Sequence, residues 1–251
     1  MLLSYVLERP RAALLTHPEH RLSTAELTRF YALVQDYAAG YPLPYLTGKI
    51  EFYGLDIEVT PEVLIPRPDT ELLVELAVDR HPRTVVDVGT GSGCIAVALA
   101  KQLPGLQVYA IDISPAVLAV ARRNAERHGV EEQIQFLAGD LLDRRPAPVD
   151  LIVSNPPYVS SDELASLPPA IRYHEPRLAL DGGPDGLDVI RRLVSQSEGL
   201  LEEGGTLLVE IGADQGVEVQ AIARTVFPEA DTLVRIHPDL AGRDRVLEVR
   251  V

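Results

Sequence analysis

The chain reads as an α/β protein built on a mostly parallel sheet with helices on both faces. Three observations predict this. From residue 84 onward, short runs rich in Val, Ile and Leu alternate with amphipathic stretches of helical length. A glycine cluster, Gly89-Thr90-Gly91-Ser92-Gly93, sits where the first of those runs gives way to a helical pattern. With 251 residues, 46% hydrophobic and 24% charged, the chain can bury one large core and a small appendage.

The elements follow in order. Residues 4–15 are weakly periodic and interrupted by Pro10; residues 23–39 form a clearer helix. Ser23 or Thr24 is the candidate N-cap, with Glu26 placed for a capping box, and Leu27, Phe30, Tyr31 and Val34 line one face. Gly40 and Pro42 end it. Alternation then takes over: Ile50 and Phe52, then Leu55, Ile57 and Val59, flank Gly54 as a β-hairpin. Pro61, Pro66 and Pro68 give a stiff extended stretch leading to a helix that starts near Asp69 or Thr70. Strands are expected at 84–88, 107–112, 134–137, 149–154, 206–211, 232–236 and 246–249. Helices are expected at 92–103, 114–128, 185–201 and 214–226, the second capped by Ser114 with Pro115 at its first position. Only the loop 237–245 separates the last two strands, so they should pair antiparallel at one edge.

Composition narrows the chemistry. The formal net charge is −14 and no Lys/Arg run exceeds a pair, so a polyanion is disfavoured as a direct partner. The one cysteine, Cys94, allows neither an intrachain disulfide nor a Cys-based zinc site. The six histidines show no metal-ligand spacing, and His20, His81, His174 and His237 read as loop residues. Met1 to Leu7 is too short an apolar run for a signal peptide, and no stretch reaches the length of a membrane span. A cytoplasmic protein without metal is expected.

The glycine cluster is preceded by Asp87 and has the spacing Gly-x-Gly-x-Gly, with Cys94 where a dinucleotide fingerprint wants a small residue. An acid two residues before the loop suits an ammonium or sulfonium ligand better than a pyrophosphate. Asp112, ending the second strand, can accept both hydroxyls of a ribose, and Asp140 follows the third strand where an adenine edge would be met. Three acids after three successive strands beside a glycine turn point to an S-adenosylmethionine pocket; a nicotinamide pocket is the alternative.

The fourth strand runs directly into Asn155-Pro156-Pro157-Tyr158, at the strand end where ligands of open α/β sheets bind. An amide or aromatic amine attacks a sulfonium methyl poorly because its lone pair is delocalised. The Asn155 side-chain carbonyl and the Pro156 backbone carbonyl can accept its two N–H groups, orienting it and favouring the charge that grows on it. Tyr158 is expected as a π wall over the flat group. Asn155, Pro156 and Tyr158 are thus the candidate catalytic residues.

With these residues assembled, the chain resembles the class I methyltransferases and, more narrowly, the HemK/PrmC family of release factor glutamine methyltransferases. The resemblance spans nearly the whole chain, through Tyr45-Leu46-Thr47-Gly48, Glu51-Phe52-Tyr53-Gly54, Ile65-Pro66-Arg67-Pro68-Asp69-Thr70-Glu71, Asp185-Gly186-Leu187 and Asp239-Leu240-Ala241-Gly242-Arg243-Asp244-Arg245. The tetrapeptide is shared with adenine N6-methyltransferases; the Ile65–Glu71 run is more specific. The resemblance implies a Rossmann-like seven-stranded sheet, a small N-terminal helical substrate-recognition domain (1–46), a β-hairpin linker (47–60) and a methyltransferase domain (61–251). It implies S-adenosylmethionine as cofactor, S-adenosylhomocysteine as product, and as substrate the glutamine of a Gly-Gly-Gln motif in a peptide chain release factor. It implies cofactor contacts at Gly89, Thr90, Gly91, Ser92, Gly93, Asp112, Asp140, Leu141 and Asn155. Substrate contacts are implied at Asn155, Pro156, Pro157 and Tyr158, with Phe52 and Arg67 lining the substrate side. Members usually carry a longer N-terminal helical domain, so a shortened docking unit is expected. A ribosomal-protein glutamine or a nucleic-acid adenine are the alternative acceptors.

Overall fold

The structure is a computed structural model describing residues 1–144, 148–229 and 232–251. Its N-terminal region holds α1 (Leu2–Leu7), α2 (Arg11–Thr16), α3 (Thr24–Ala38) and α4 (Leu43–Thr47). Glu8, in the left-handed conformation, closes α1, and Pro10 caps α2, which divides the weakly periodic stretch in two. The capping box forms as expected: the Ser23 hydroxyl accepts from Glu26 N while the Glu26 carboxylate accepts from Ser23 N at 2.7 Å. The short α4, begun by Pro44 inside its first turn, was not expected. Strands β1 (Lys49–Phe52) and β2 (Leu55–Glu58) pair antiparallel as the hairpin.

The main body contains α5 (Glu71–Asp79), β3 (Thr84–Val88), α6 (Cys94–Gln102), β4 (Gln107–Asp112), α7 (Pro115–His128), β5 (Ile134–Ala138) and β6 (Val149–Ser154). It continues with α8 (Pro169–His174), α9 (Asp188–Ser197), β7 (Leu201–Glu210), α10 (Gly216–Val226), β8 (Leu233–Pro238) and β9 (Asp244–Arg250). The seven-stranded sheet has the order β5-β4-β3-β6-β7-β9-β8. The strands from β3 to β7 run parallel; β9 is antiparallel to both β7 and β8, so of the last two strands only β8 lies at an edge. The antiparallel pair was expected, whereas the insertion of β9 against β7 was not.

Strand period sorts the core into two layers. Val85, Val108, Ala110, Leu151, Val153 and Leu208 pack beneath α5, α6 and α7. Val86, Val88, Ile111, Ile152, Leu207 and Val209 pack against α9 and α10. The hairpin joins the first layer through Phe52 and Ile57, both fully buried. Buried Asn124 on α7 binds it to the glycine loop: its amide nitrogen donates to Glu58 O and Ser92 O, and its oxygen accepts from Glu58 N.

Candidate active site

Strand order reverses between β4 and β6, which lie on opposite sides of β3. Ligands of open sheets bind at the carboxyl ends of strands beside such a reversal. Val88 pairs with Ser154 in register, and the Ser154 hydroxyl donates to Val88 O at 2.8 Å, so Gly89 and Asn155 leave the sheet side by side. Val88 also pairs with Ile111, whose carbonyl accepts from both Gly89 N and Thr90 N. Motifs far apart in sequence therefore surround one cavity of about 460 Å³, a volume typical of small-molecule sites.

Gly89, Thr90, Gly91, Ser92, Asp112, Asp140, Leu141, Asn155 and Pro157 all line it. Three glycines of the loop have positive φ. Gly93, at φ +78°, is not on the cavity wall; a Cβ there would stand 3.0 Å from Ala121 Cβ, so the glycine lets α6 and α7 approach. Asp112 is held by two backbone donors, Gly91 N to Oδ2 at 3.1 Å and Ser114 N to Oδ1 at 3.0 Å. Burial nevertheless pushes its carboxyl above the usual range. Each oxygen keeps a free lone pair for a ligand hydroxyl. Asp140 is bridged by Arg192 Nη2 at 2.7 Å, and both residues line the cavity. Leu141 has φ +52°, a conformation that a leucine rarely adopts and that concentrates at functional sites.

Asp87 lies differently from the sequence expectation. It shares the face of β3 with Val85, under α6, and is fully buried behind the loop rather than on the wall. Its Oδ2 accepts from the Thr90 hydroxyl at 2.6 Å, while Oδ1 has no hydrogen-bond partner among the described residues. Burial pushes its carboxyl up to about 7. Asp87 thus props the loop through Thr90 rather than facing a ligand.

In the tetrapeptide, Asn155 Nδ2 donates to Thr70 Oγ1 at 3.0 Å, which leaves Oδ1 as its open acceptor. Pro156 is buried and, like Tyr158, is not among the lining residues. The expected π wall is replaced by an anchor: the Tyr158 hydroxyl donates to Glu210 Oε1 at 3.2 Å, and the Tyr158 carbonyl accepts from Gln215 Nε2 at 3.0 Å. Phe52 is core, and Arg67 does not line the cavity. Arg67 instead binds Glu175 at 2.6 Å, and the same carboxylate accepts from Ile65 N at 3.1 Å. That ion pair clamps the proline-rich segment to residues 160–181, and both segments contribute to the wall, through Pro66 and through Pro176, Leu178 and Ala179.

The wall suits adenosylmethionine. It combines apolar side chains (Ile95, Ile113, Val117, Leu141) with a few fixed polar groups, and the buried Ser92 hydroxyl has no partner among the described residues. Among those residues no group of three or more His, Cys, Asp or Glu could hold a metal ion. The buried Cys94 thiol is pushed up to about 12 by desolvation, which makes it a poor nucleophile.

Comparison with known proteins agrees with this picture. Residues 68–167 match the family model described as methyltransferase small domain, and residues 1–48 match the PrmC N-terminal domain. The release factor glutamine methyltransferase of Moorella thermoacetica is 48% identical over 250 residues, covering 98% of this chain and 87% of the relative. That of Geobacter sulfurreducens is 46% identical, covering 100% and 87%. Among solved structures, ribosomal protein L11 methylase from Lactobacillus delbrueckii subsp. bulgaricus superposes with TM-score 0.54 and 25% identity, covering 77% of this chain and 83% of that one.

Proposed function

The chain belongs to the release factor glutamine methyltransferases, and from that premise we propose how its own residues carry out the transfer. It is an S-adenosylmethionine-dependent enzyme that methylates the N5 amide nitrogen of a glutamine in a peptide chain release factor. Bound adenosylmethionine supplies an electrophilic methyl group on a sulfonium. The residues that would hold it are Gly89, Thr90, Gly91 and Ser92 of the glycine loop, Asp112 for the ribose, and Asp140 with Leu141 for the adenine edge. Gly93 shapes that loop without lining the cavity.

Asn155 Oδ1 accepts one N–H of the glutamine amide and the Pro156 backbone carbonyl accepts the other. Both acceptors turn the nitrogen toward the methyl donor and stabilise the positive charge that develops on it. Pro157 forms part of the wall beside them, and Tyr158 holds the turn in place. The observation that carries this reading is the Asn155–Thr70 hydrogen bond, which commits the amide nitrogen inward and leaves the carbonyl oxygen for substrate. The acceptor is the glutamine of a Gly-Gly-Gln motif, because a backbone without flanking side chains can push an amide deep into a narrow entrance.

Residues 1–46 form the unit that docks the protein substrate. Their helices bury only Val6, and Leu15, Leu27, Tyr31 and Tyr37 stand exposed. No described helix is long and apolar enough to cross a membrane, and we assign the protein to the cytoplasm, where release factors act.

The test is a side-by-side assay with labelled methyl donor on a release factor, ribosomal proteins and adenine-containing DNA. Label is expected on the release-factor glutamine. Label on the ribosomal protein or the DNA alone would overturn the assignment; the net charge of −14 argues against the DNA.

A further inference from the structure

We propose that Thr70 and Glu210 are positioning residues that fix which way round the Asn155 amide stands, through a one-directional hydrogen-bond chain from Asn155 through Thr70 to a buried carboxylate. The inference rests on the reading of Asn155 Oδ1 as the acceptor for the substrate amide.

A primary amide can turn over with no change of shape, exchanging an acceptor for a donor. Turned the wrong way, Asn155 would present its NH₂ to the substrate NH₂, and neither could accept. Something must therefore hold the orientation. Asn155 Nδ2 donates to Thr70 Oγ1, but a threonine hydroxyl both gives and takes, so Thr70 alone fixes nothing. Its single proton has to be committed elsewhere.

Glu210 is where it goes. This carboxylate ends β7 with no solvent exposure, and Thr70 is 2% exposed. Oε1 accepts from the Tyr158 hydroxyl, while Oε2 has no partner in full hydrogen-bond geometry among the described residues. The Thr70 hydroxyl donates to no other described group. Desolvation raises the Glu210 carboxyl, and the hydroxyls of Thr70 and Tyr158 and the charge of Arg245 work against it, with Asp69 adding to it. Thr70 thus stands against the carboxyl and steadies its charged form.

In its charged form the Glu210 carboxylate can only accept. It draws the Thr70 proton toward itself, turns a Thr70 lone pair to Asn155, and leaves the Asn155 carbonyl facing the cavity. The direction of the chain is set at its buried end. Tyr158, from the same tetrapeptide as Asn155, holds the other oxygen of Glu210 and keeps the carboxylate in place. This also accounts for a buried acid that does not itself line the cavity and, among the described residues, has no ion-pair partner within salt-bridge distance.

Glu210→Gln keeps the shape and supplies a donor. Gln Nε2 can give to Thr70 Oγ1, whose proton is then free to donate to Asn155 Oδ1, reversing the chain. Turnover is expected to fall roughly 10- to 100-fold, the scale of a misdirected positioning group, while KM for the release factor and Kd for adenosylhomocysteine barely move. Thr70→Val, which cuts the chain, should lose turnover similarly, and Thr70→Ser, which keeps the hydroxyl, should restore it. Asn155→Ala is measured alongside. Native turnover in Glu210→Gln and Thr70→Val, with Asn155→Ala inactive, overturns the wiring and spares the reading beneath it. Native turnover in Asn155→Ala overturns that reading itself. Loss of adenosylhomocysteine binding together with turnover in Glu210→Gln overturns the positioning role, since a general structural defect produces that pattern.

Discussion

Replacing Asp87 by asparagine should make the protein less sensitive to rising pH. Burial penalises the charge of the wild-type carboxyl and pushes it from an ordinary 3.8 in the unfolded chain up to about 7 in the fold. A raised carboxylate pKa means that the folded state holds the proton more tightly than the unfolded state. Stability is therefore full below the unfolded value and falls as pH rises through the window from about 4 to about 7. From those two values the linkage relation gives a cost of about 2 kcal/mol at pH 5 and about 4 kcal/mol at pH 8. The wild type should thus lose about 2–3 kcal/mol between pH 5 and pH 8 that Asp87→Asn does not lose. Any fixed cost of the substitution, such as placing an amide nitrogen where Oδ1 has no partner, cancels between the two pH values. The assay is urea denaturation of both proteins at both pH values, checked for equal m-values. Parallel pH dependence in the two proteins would refute the argument, because Asp87 would then be charged in the fold at little cost. Adenosylhomocysteine binding should survive, since an asparagine oxygen can still accept from Thr90.

Other expectations follow from the same geometry. Asn155→Ala should lower kcat roughly 10²-fold and leave the unfolding midpoint nearly unchanged, since the residue lies at a strand end; near-native turnover in a methylation assay would show that the amide grip is misassigned. Gly93→Ala forces a side chain into φ +78° and against Ala121, and should cost about 2–4 kcal/mol in urea denaturation. A cost below experimental error would mean that α6 and α7 are not packed as closely as described. Adenosylmethionine and adenosylhomocysteine should raise the melting temperature while NAD leaves it unchanged; calorimetric binding of NAD alone would contradict the cofactor assignment.

The parts of the site that were legible in the sequence are those whose meaning is local. A glycine loop after an apolar strand and a tetrapeptide after another carry their geometry within a few residues, so Gly89, Gly91 and Asn155 could be placed together at the carboxyl end of the sheet. The hydrogen bonds that finish the site are not local. Asn155 meets Thr70 across 85 positions, Tyr158 meets Glu210 across 52, and Arg67 meets Glu175 across 108. Thr70 read only as a helix start, and Glu210 as one residue of a buried strand. Asp87 misled for the related reason that strand period tells which face a side chain takes but not which face the ligand occupies. Residues 185–201 were expected as helix with the next strand at 206, whereas α9 ends at Ser197 and β7 begins at Leu201, so Glu202, Glu203, Gly204 and Gly205 extend the strand.

The architecture explains why so much of the site depends on distant partners. The glycine loop and the tetrapeptide emerge from β3 and β6, adjacent strands joined in register at Val88 and Ser154, and this pairing alone brings cofactor wall and substrate grip together. Orientation of the grip is a separate requirement, because the main chain fixes where Asn155 stands and not which way its amide faces. That second constraint comes from β7, the next strand outward, whose last residue is Glu210, and from Thr70 in the turn that opens α5. The glycine loop is propped from β3 itself by Asp87 through Thr90. A buried acid thus stands behind each half of the site, both desolvated, with Asp87 bound to the Thr90 hydroxyl and Glu210 to the Tyr158 hydroxyl. Their chemistry separates them. Asp87 needs only an oxygen to accept from Thr90, so its asparagine variant should keep function and change stability. Glu210 must accept from Thr70 and never donate, so its glutamine variant should keep the fold and lose turnover. Measuring the two isosteric amides side by side tests whether acceptor direction, rather than buried charge as such, is what the active site requires.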